Sequence, residues 1–198
     1  MLIYAATANK HKLEEIRGIL AHTGVELLTH PDYANLNISE TGVTFEENAS
    51  IKATALSKLT ENYVIADDSG LSVDALDGKP GIYSARYAGD GATDDENNAL
   101  LIKNMENITE RGAKFVCVIA LAQNGGVIRL FRGECHGSVA YEAKGGCGFG
   151  YDPLFVTKDG RTMAELTPAE KNRISHRSAA LLQLAAYIKG MPMRGTRN

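Results

Sequence analysis

The sequence predicts one mixed α/β domain built around a central sheet. Three observations carry this. Helix-spaced and strand-like segments alternate over the first hundred residues, two long β segments follow in the middle, and no repeat or linker composition divides the 198 residues. That length suits a single globular domain, taken as 1–198, and is thin for two. With 44% hydrophobic and 23% charged residues the composition is that of an ordinary soluble protein.

Residues 2–6 read as the first strand, and the absence of a charged leader argues against a signal peptide. From Lys10 the spacing turns helical, with Leu13, Ile16 and Leu20 on one face. Residues 25–29 read as a second strand. Thr44 opens a helix with an apolar stripe of Phe45, Ala49, Ala53, Leu56 and Leu59, and Glu47 completes a capping-box pattern. Val64–Ala66 is read as a short buried strand ending at Asp67-Asp68-Ser69-Gly70. A loop-rich stretch covers 70–92, and a helix covers about 93–106. The segments 114–123 and 127–138 are expected to pair as a hairpin around Asn124-Gly125-Gly126. Ser175 caps a last helix carrying Leu181, Leu184, Ala185 and Ile188, stopped by Gly190 and Pro192.

Charge and composition exclude several classes. A net charge of −3 and an isoelectric point near 6.0 provide no basic field for a long nucleic acid. The longest apolar run, Phe115–Ala122, is far short of the roughly 20 residues of a membrane helix. Cys117, Cys135 and Cys147 form no C-x-x-C pair, so reduced thiols and the cytoplasm are expected.

Four segments carry candidate chemistry. Thr7-Ala8-Asn9-Lys10-His11-Lys12 lies where the first strand meets the first helix, and a helix start suits phosphate; simple capping by Asn9 is the alternative. Asp67 and Asp68 are carboxylates at the expected end of a strand. With Glu40 and Glu47 as further hard oxygen donors, they suit Mg²⁺ better than zinc. The run Gly145–Pro153 places Phe149 and Tyr151 among glycines, as a base platform needs. Lys171, Ser175, His176 and Arg177 gather donors at a helix start. Each is weak alone; together they are the parts of a nucleotide hydrolase.

Seven ordered blocks resemble the inosine/xanthosine triphosphate pyrophosphatase family. They are Thr7-x-Asn9-x-x-Lys12, Glu40-Thr41-Gly42, Thr44-Phe45-x-Glu47-Asn48-Ala49, Asp67-Asp68-Ser69-Gly70, Pro80–Arg86, Phe149–Pro153 and Ser175-His176-Arg177. The resemblance implies an elongated mixed sheet flanked by helices, with a cleft between two lobes, and a homodimer. It implies that ITP, dITP and XTP are cut to the monophosphate and pyrophosphate with Mg²⁺, or Mn²⁺ in its place. By the same resemblance Thr7, Asn9 and Lys12 of the 7–12 loop hold phosphate (Ala8, Lys10 and His11 included), joined by Lys52 one helical turn past Asn48, and Ser69 touches it as well. Glu40 binds the metal, and Asp68 activates water or links it to the metal. Phe149, Gly150, Tyr151 and Asp152 frame base and sugar, while Lys171, His176 and Arg177 read the purine edge. Ala8 departs from the family, where glycine is frequent, and the Pro80–Arg86 block is left without a catalytic role. A pyrophosphatase for other nucleotides and a non-catalytic nucleotide sensor are the competing readings.

Overall fold

The computed structural model describes residues 1–191, and the expected stop at Pro192 lies outside them. Six strands form one sheet in the order β2-β1-β3-β4-β5-β6. They are β1 (Leu2–Ala5), β2 (Glu26–Thr29), β3 (Tyr63–Val73), β4 (Gly112–Gln123), β5 (Gly126–Val139) and β6 (Phe155–Val156). Five α-helices accompany them: α1 (Lys10–Leu20), α2 (Phe45–Ser57), α3 (Asp94–Asn104), α4 (Pro168–Ile174) and α5 (His176–Lys189). The sheet is mixed, with β1 parallel to both β2 and β3, while β3, β4, β5 and β6 run antiparallel in turn.

The apolar run in β4 is explained by its central place. Val116 through Ala122 are all buried because helices cover the strand on both faces. One face packs on α1 and α5, through Ile65, Cys117 and Ile119 with Ile16, Leu181 and Leu184. The other packs on α2, through Val64, Ala66 and Val118 with Ala49, Ala53 and Leu56. A third cluster joins the far halves of β3 and β4 to α3 and to the 151–166 segment through Leu71, Val73, Leu101, Phe115 and Phe155. The expected hairpin is present. Asn124 (φ 53°) and Gly125 (φ 78°) both take the left-handed conformation that a tight two-residue turn requires.

Several expectations need correcting. Asp67–Gly70 do not end a strand: β3 continues to Val73, pairing without interruption from Val64↔Ala122 to Val73↔Ala113. Polar residues in mid-strand hid this continuation from a reading based on apolar runs. Leu59 lies beyond the end of α2 and is exposed. Thr44 does cap α2, accepting the Glu47 N–H at 3.1 Å, but the Glu47 carboxylate accepts from Val43 rather than closing a box. α4 was not anticipated, although Thr167, Pro168 and Glu170 give it a complete capping box.

Gly133 of β5 lets α5 lie directly on the sheet, since a Cβ there would sit 2.1 Å from the His176 carbonyl oxygen and 2.5 Å from the Ala180 nitrogen. Both are backbone atoms and cannot swing away. Gly133→Ala is therefore expected to cost about 3 kcal/mol or more by forcing α5 off the sheet, read as a lower urea midpoint at unchanged slope.

Candidate functional site

β1 stops at Ala5 while β3 runs on, so that edge of β3 has no strand beside it from Asp67 until the Pro80 bridge at Ser72. α1 begins beside this gap, and the 7–12 loop bridges the two. Asn9 caps α1 by accepting the Lys12 N–H at 3.1 Å, and Thr7 Oγ1 accepts the Asn9 N–H. Capping therefore holds as written, yet Asn9 and Lys12 also line a cavity together with Ser69, Phe149, Tyr151, Asp152, Lys171, His176 and Arg177. Carboxylates at a strand end were the expectation; the strand end at the site belongs to β1, with the carboxylates on its neighbour.

Successive side chains of a strand point to opposite faces, and this separates the two aspartates. Asp67 shares its face with Ile65, Cys117 and α5. It is buried between Lys12 Nζ at 2.7 Å and Arg177 Nη2 at 3.1 Å, and the Cys117 thiol lies 3.6 Å away. Burial alone would raise its pKa, but Lys12, Arg177 and Lys52 hold it far below the usual carboxylate range. Arg177, itself fully buried, also donates to Ser69 Oγ at 2.9 Å.

Asp68 faces α2. Its Oδ1 lies 2.8 Å from Lys52 Nζ, which also contacts Glu40 at 3.2 Å. Lys52 reaches this point from the third turn of α2, within a helix fixed at its start by Asn48, whose Oδ1 accepts the Gly42 N–H. Asp68 is buried and shares its cation with Glu40, so burial pushes its carboxyl up to about 6 against the pull of Lys52. Burial disfavours the charge on Lys52, but Asp68, Asp67 and Glu40 lift its pKa above the usual lysine range. Asp68 Oδ2 is buried without a hydrogen-bond partner. Glu47, expected to converge here, is exposed on the outer side of the first turn of α2.

The third group surrounds Phe149. Its ring stacks on His11 at 5.3 Å and lies under Lys171 Nζ at 4.8 Å and the Arg177 guanidinium at 5.8 Å. Lys171 is paired with Asp152, whose Oδ2 also accepts the Phe149 N–H at 2.9 Å. Tyr151 is more buried than a stacking platform, and its hydroxyl donates to the Ser84 carbonyl oxygen at 2.9 Å. Lys10 and Ala8 are exposed.

Sequence reasoning missed Glu15. One turn past Lys12 on α1, it contacts Lys171 at 2.7 Å and Arg177, tying the two donors together. Burial would raise its pKa, but Arg177 and Lys171 lower it. The signal was present: a carboxylate three positions after Lys12 lies on the same helical face. Of the residues expected to bind substrate, Asn9, Lys12, Ser69, Phe149, Gly150, Tyr151, Asp152, Lys171, His176 and Arg177 line one cavity, His11 lies against Phe149, and Lys52 stands at Asp68; Glu15 joins them.

His176 is fully buried, stacked on Phe115 at 4.7 Å, with Nδ1 unpartnered. Burial, together with Arg177 and Lys171, lowers its pKa well below the ordinary 6.5, so the folded chain holds it neutral. The unfolded chain binds a proton there below pH 6.5, so stability from this site is full above that value and falls as the pH drops. His176→Gln is expected to flatten the loss of stability between pH 7 and 5, by at most about 1.4 kcal/mol per pH unit. Urea titrations of both chains across that window are the check.

With this geometry established, comparison with known proteins gives a consistent result. The Ham1 family model matches residues 3–187. Proteins named dITP/XTP pyrophosphatase are similar throughout. The one from Geobacter sulfurreducens is 48% identical over 190 residues, covering 94% of this chain and 96% of its own. That from Oceanobacillus iheyensis is 46% identical over 191 residues, covering 94% and 97%. Among solved structures, the Ham1 protein of Coxiella burnetii superposes with a TM-score of 0.88 at 40% identity, covering 96% of this chain and all of its own. The Staphylococcus aureus Ham1 protein gives 0.86 at 40% identity, with coverage of 96% and 99%. The chain belongs to the Ham1 family.

Proposed function

We propose that this chain hydrolyses deaminated purine nucleoside triphosphates (dITP, XTP and ITP) to the monophosphate and pyrophosphate. The observation that carries the reading is the buried chain Lys12–Asp67–Arg177, which links a phosphate-binding helix start to a cluster of base-edge donors. The names of the relatives point the same way.

A divalent cation fits the residues present. Lys12, Lys52, Lys171 and Arg177 are matched against Glu15, Glu40, Asp67, Asp68 and Asp152, so carboxylates outnumber cations by five to four. A triphosphate needs further positive charge in such a site, and the unpartnered Asp68 Oδ2 beside Glu40 is a hard oxygen donor. Glu40 and Asp68 would hold Mg²⁺, with Mn²⁺ as the substitute. When bound, the ion neutralises phosphate charge and stabilises the leaving group.

The protein's own steps follow from the placement of its groups. Lys12 and Lys52 hold the β- and γ-phosphates as a unit, with Ser69 and the first N–H groups of α1. Asp68 accepts a proton from a water as that oxygen bonds to the α-phosphorus and the bond to the pyrophosphate oxygen breaks. Phe149 offers its ring to the base. Lys171 and Arg177 carry only donors, which suit the C6 carbonyl of hypoxanthine and xanthine and oppose the amino group of adenine. Guanine shares that carbonyl, so its rejection falls to a contact at C2. The reading includes the cytoplasm, supported by three free thiols, and a homodimer, for which exposed Val127, Ile128 and Leu130 on β5 provide apolar surface. No nucleic acid partner is included, in keeping with the net charge of −3.

Purified chain with Mg²⁺ is expected to release pyrophosphate and a monophosphate from XTP and dITP much faster than from ATP. Inorganic phosphate and a diphosphate as first products would overturn the reading. Asp68→Asn is expected to lower kcat by about 10²- to 10⁴-fold while preserving substrate affinity in equilibrium binding. Near-normal turnover would move the chemistry to another carboxylate.

A further inference from the structure

The Pro80–Arg86 segment and α3 have no part in the chemistry above, yet both hold the base platform, α3 at Gly150 and the Pro80–Arg86 segment at Tyr151. The Gly150 N–H donates to Asp94 Oδ2 at 2.6 Å, and Asn98 Nδ2 donates to the Gly150 carbonyl oxygen at 2.9 Å. Asp94 and Asn98 are four residues apart and share one face of α3, so the helix holds Gly150 at both its N–H and its carbonyl.

The space where a side chain on Gly150 would stand is open: the φ of Gly150 is 62°, and a Cβ built there would meet nothing within 4 Å. The two hydrogen bonds anchor the backbone at this point. Asn98 is buried and its Oδ1 has no hydrogen-bond partner, so the bond to Gly150 orients its amide.

α3 is anchored in turn to the Pro80–Arg86 region. Asn97 Oδ1 accepts the Ala88 N–H at 2.8 Å, and Ser84 Oγ accepts the Leu71 N–H of β3 at 2.9 Å. Ser84 also accepts the Tyr151 hydroxyl through its carbonyl oxygen. The otherwise unassigned block thus ties the loop to the strand that carries Asp68.

We propose that Asp94 and Asn98 are positioning residues for base recognition, holding the Gly150 peptide so that the Phe149 face is set against Lys171 and Arg177 before substrate arrives. The role rests on the nucleotide reading given above. Fixing the loop in advance removes an ordering cost from binding, so its loss raises KM. The water-activating step at Asp68 lies on the opposite face of β3 and keeps its rate.

The test uses the full chain with Mg²⁺, measuring pyrophosphate release from XTP, and hydrogen exchange at the Gly150 amide. Asp94→Ala and Asn98→Ala are expected to raise KM for XTP about tenfold, the worth of one such hydrogen bond, with kcat within about twofold. Asp94→Asn keeps an acceptor for the Gly150 N–H and is expected to restore most of the affinity. Exchange at Gly150 is expected to accelerate in Asp94→Ala, with β4 amides unchanged. The role is overturned by unchanged KM in both alanine variants, by kcat falling together with thermal stability, or by Asp94→Asn failing as badly as Asp94→Ala. If the parent chain releases no pyrophosphate from XTP or dITP, the nucleotide reading itself falls and takes this role with it. An active parent with unaffected variants sinks this role alone.

Discussion

A carboxylate in the interior is tolerable only when its charge is answered, and Asp67 is answered twice. Lys12 arrives from α1 and Arg177 from α5, and both end on the same side chain in the middle of β3. Removing one member of such a buried set leaves an uncompensated charge and typically costs about 3–5 kcal/mol. The three elements are thereby fixed to one another at the point where the site needs them. Glu15 extends the arrangement by closing Arg177 to Lys171, so donors from α1, α4 and α5 move as one body. The Gly133 contact presses α5 onto the sheet and brings Arg177 close enough to reach Asp67.

The same pairing explains how four cations gather in a chain of net negative charge. Each of the four cations is held by an internal partner, which keeps long, flexible side chains extended into the cavity instead of collapsed on the surface. On the function proposed above, an entering triphosphate competes with those partners, so tight binding requires oxygens placed to reach several cations together. A single phosphate satisfies this poorly.

Much of this was legible in the sequence, for reasons specific to each part. The helix starts at Asn9, Thr44 and Ser175 carry their caps, and the Asn124-Gly125 turn is written in the two residue types that tolerate positive φ. Site residues were legible because their blocks resemble a known family; taken alone, Lys171 or His176 gave little. The length of β3 was not legible, because Asp67, Asp68 and Ser69 interrupt its apolar run and look like the residues of a turn. Asp67 and Ser69 are met by Arg177, over a hundred residues away in the chain, and Asp68 by Lys52 of another element, which local patterns do not record. Glu15 was missed for the same reason, since a glutamate on an amphipathic helix reads as solvated until its partners on α4 and α5 are placed.

The opposite orientations of Asp67 and Asp68 make the chemistry a matter of parity. A slip of β3 by one residue against β4 would present Asp67 to α2 and Asp68 to α5, exchanging the carboxylate beside Lys52 with the one that holds Arg177. Ten consecutive pairs, Val64↔Ala122 through Val73↔Ala113, stand against that slip. Seen this way, the long central ladder acts as a reading frame for the site. Substitutions within β3 or β4 can be absorbed one at a time, but inserting or deleting a single residue beside the aspartates would shift the frame and scramble the assignment of roles without removing any of the residues that perform them.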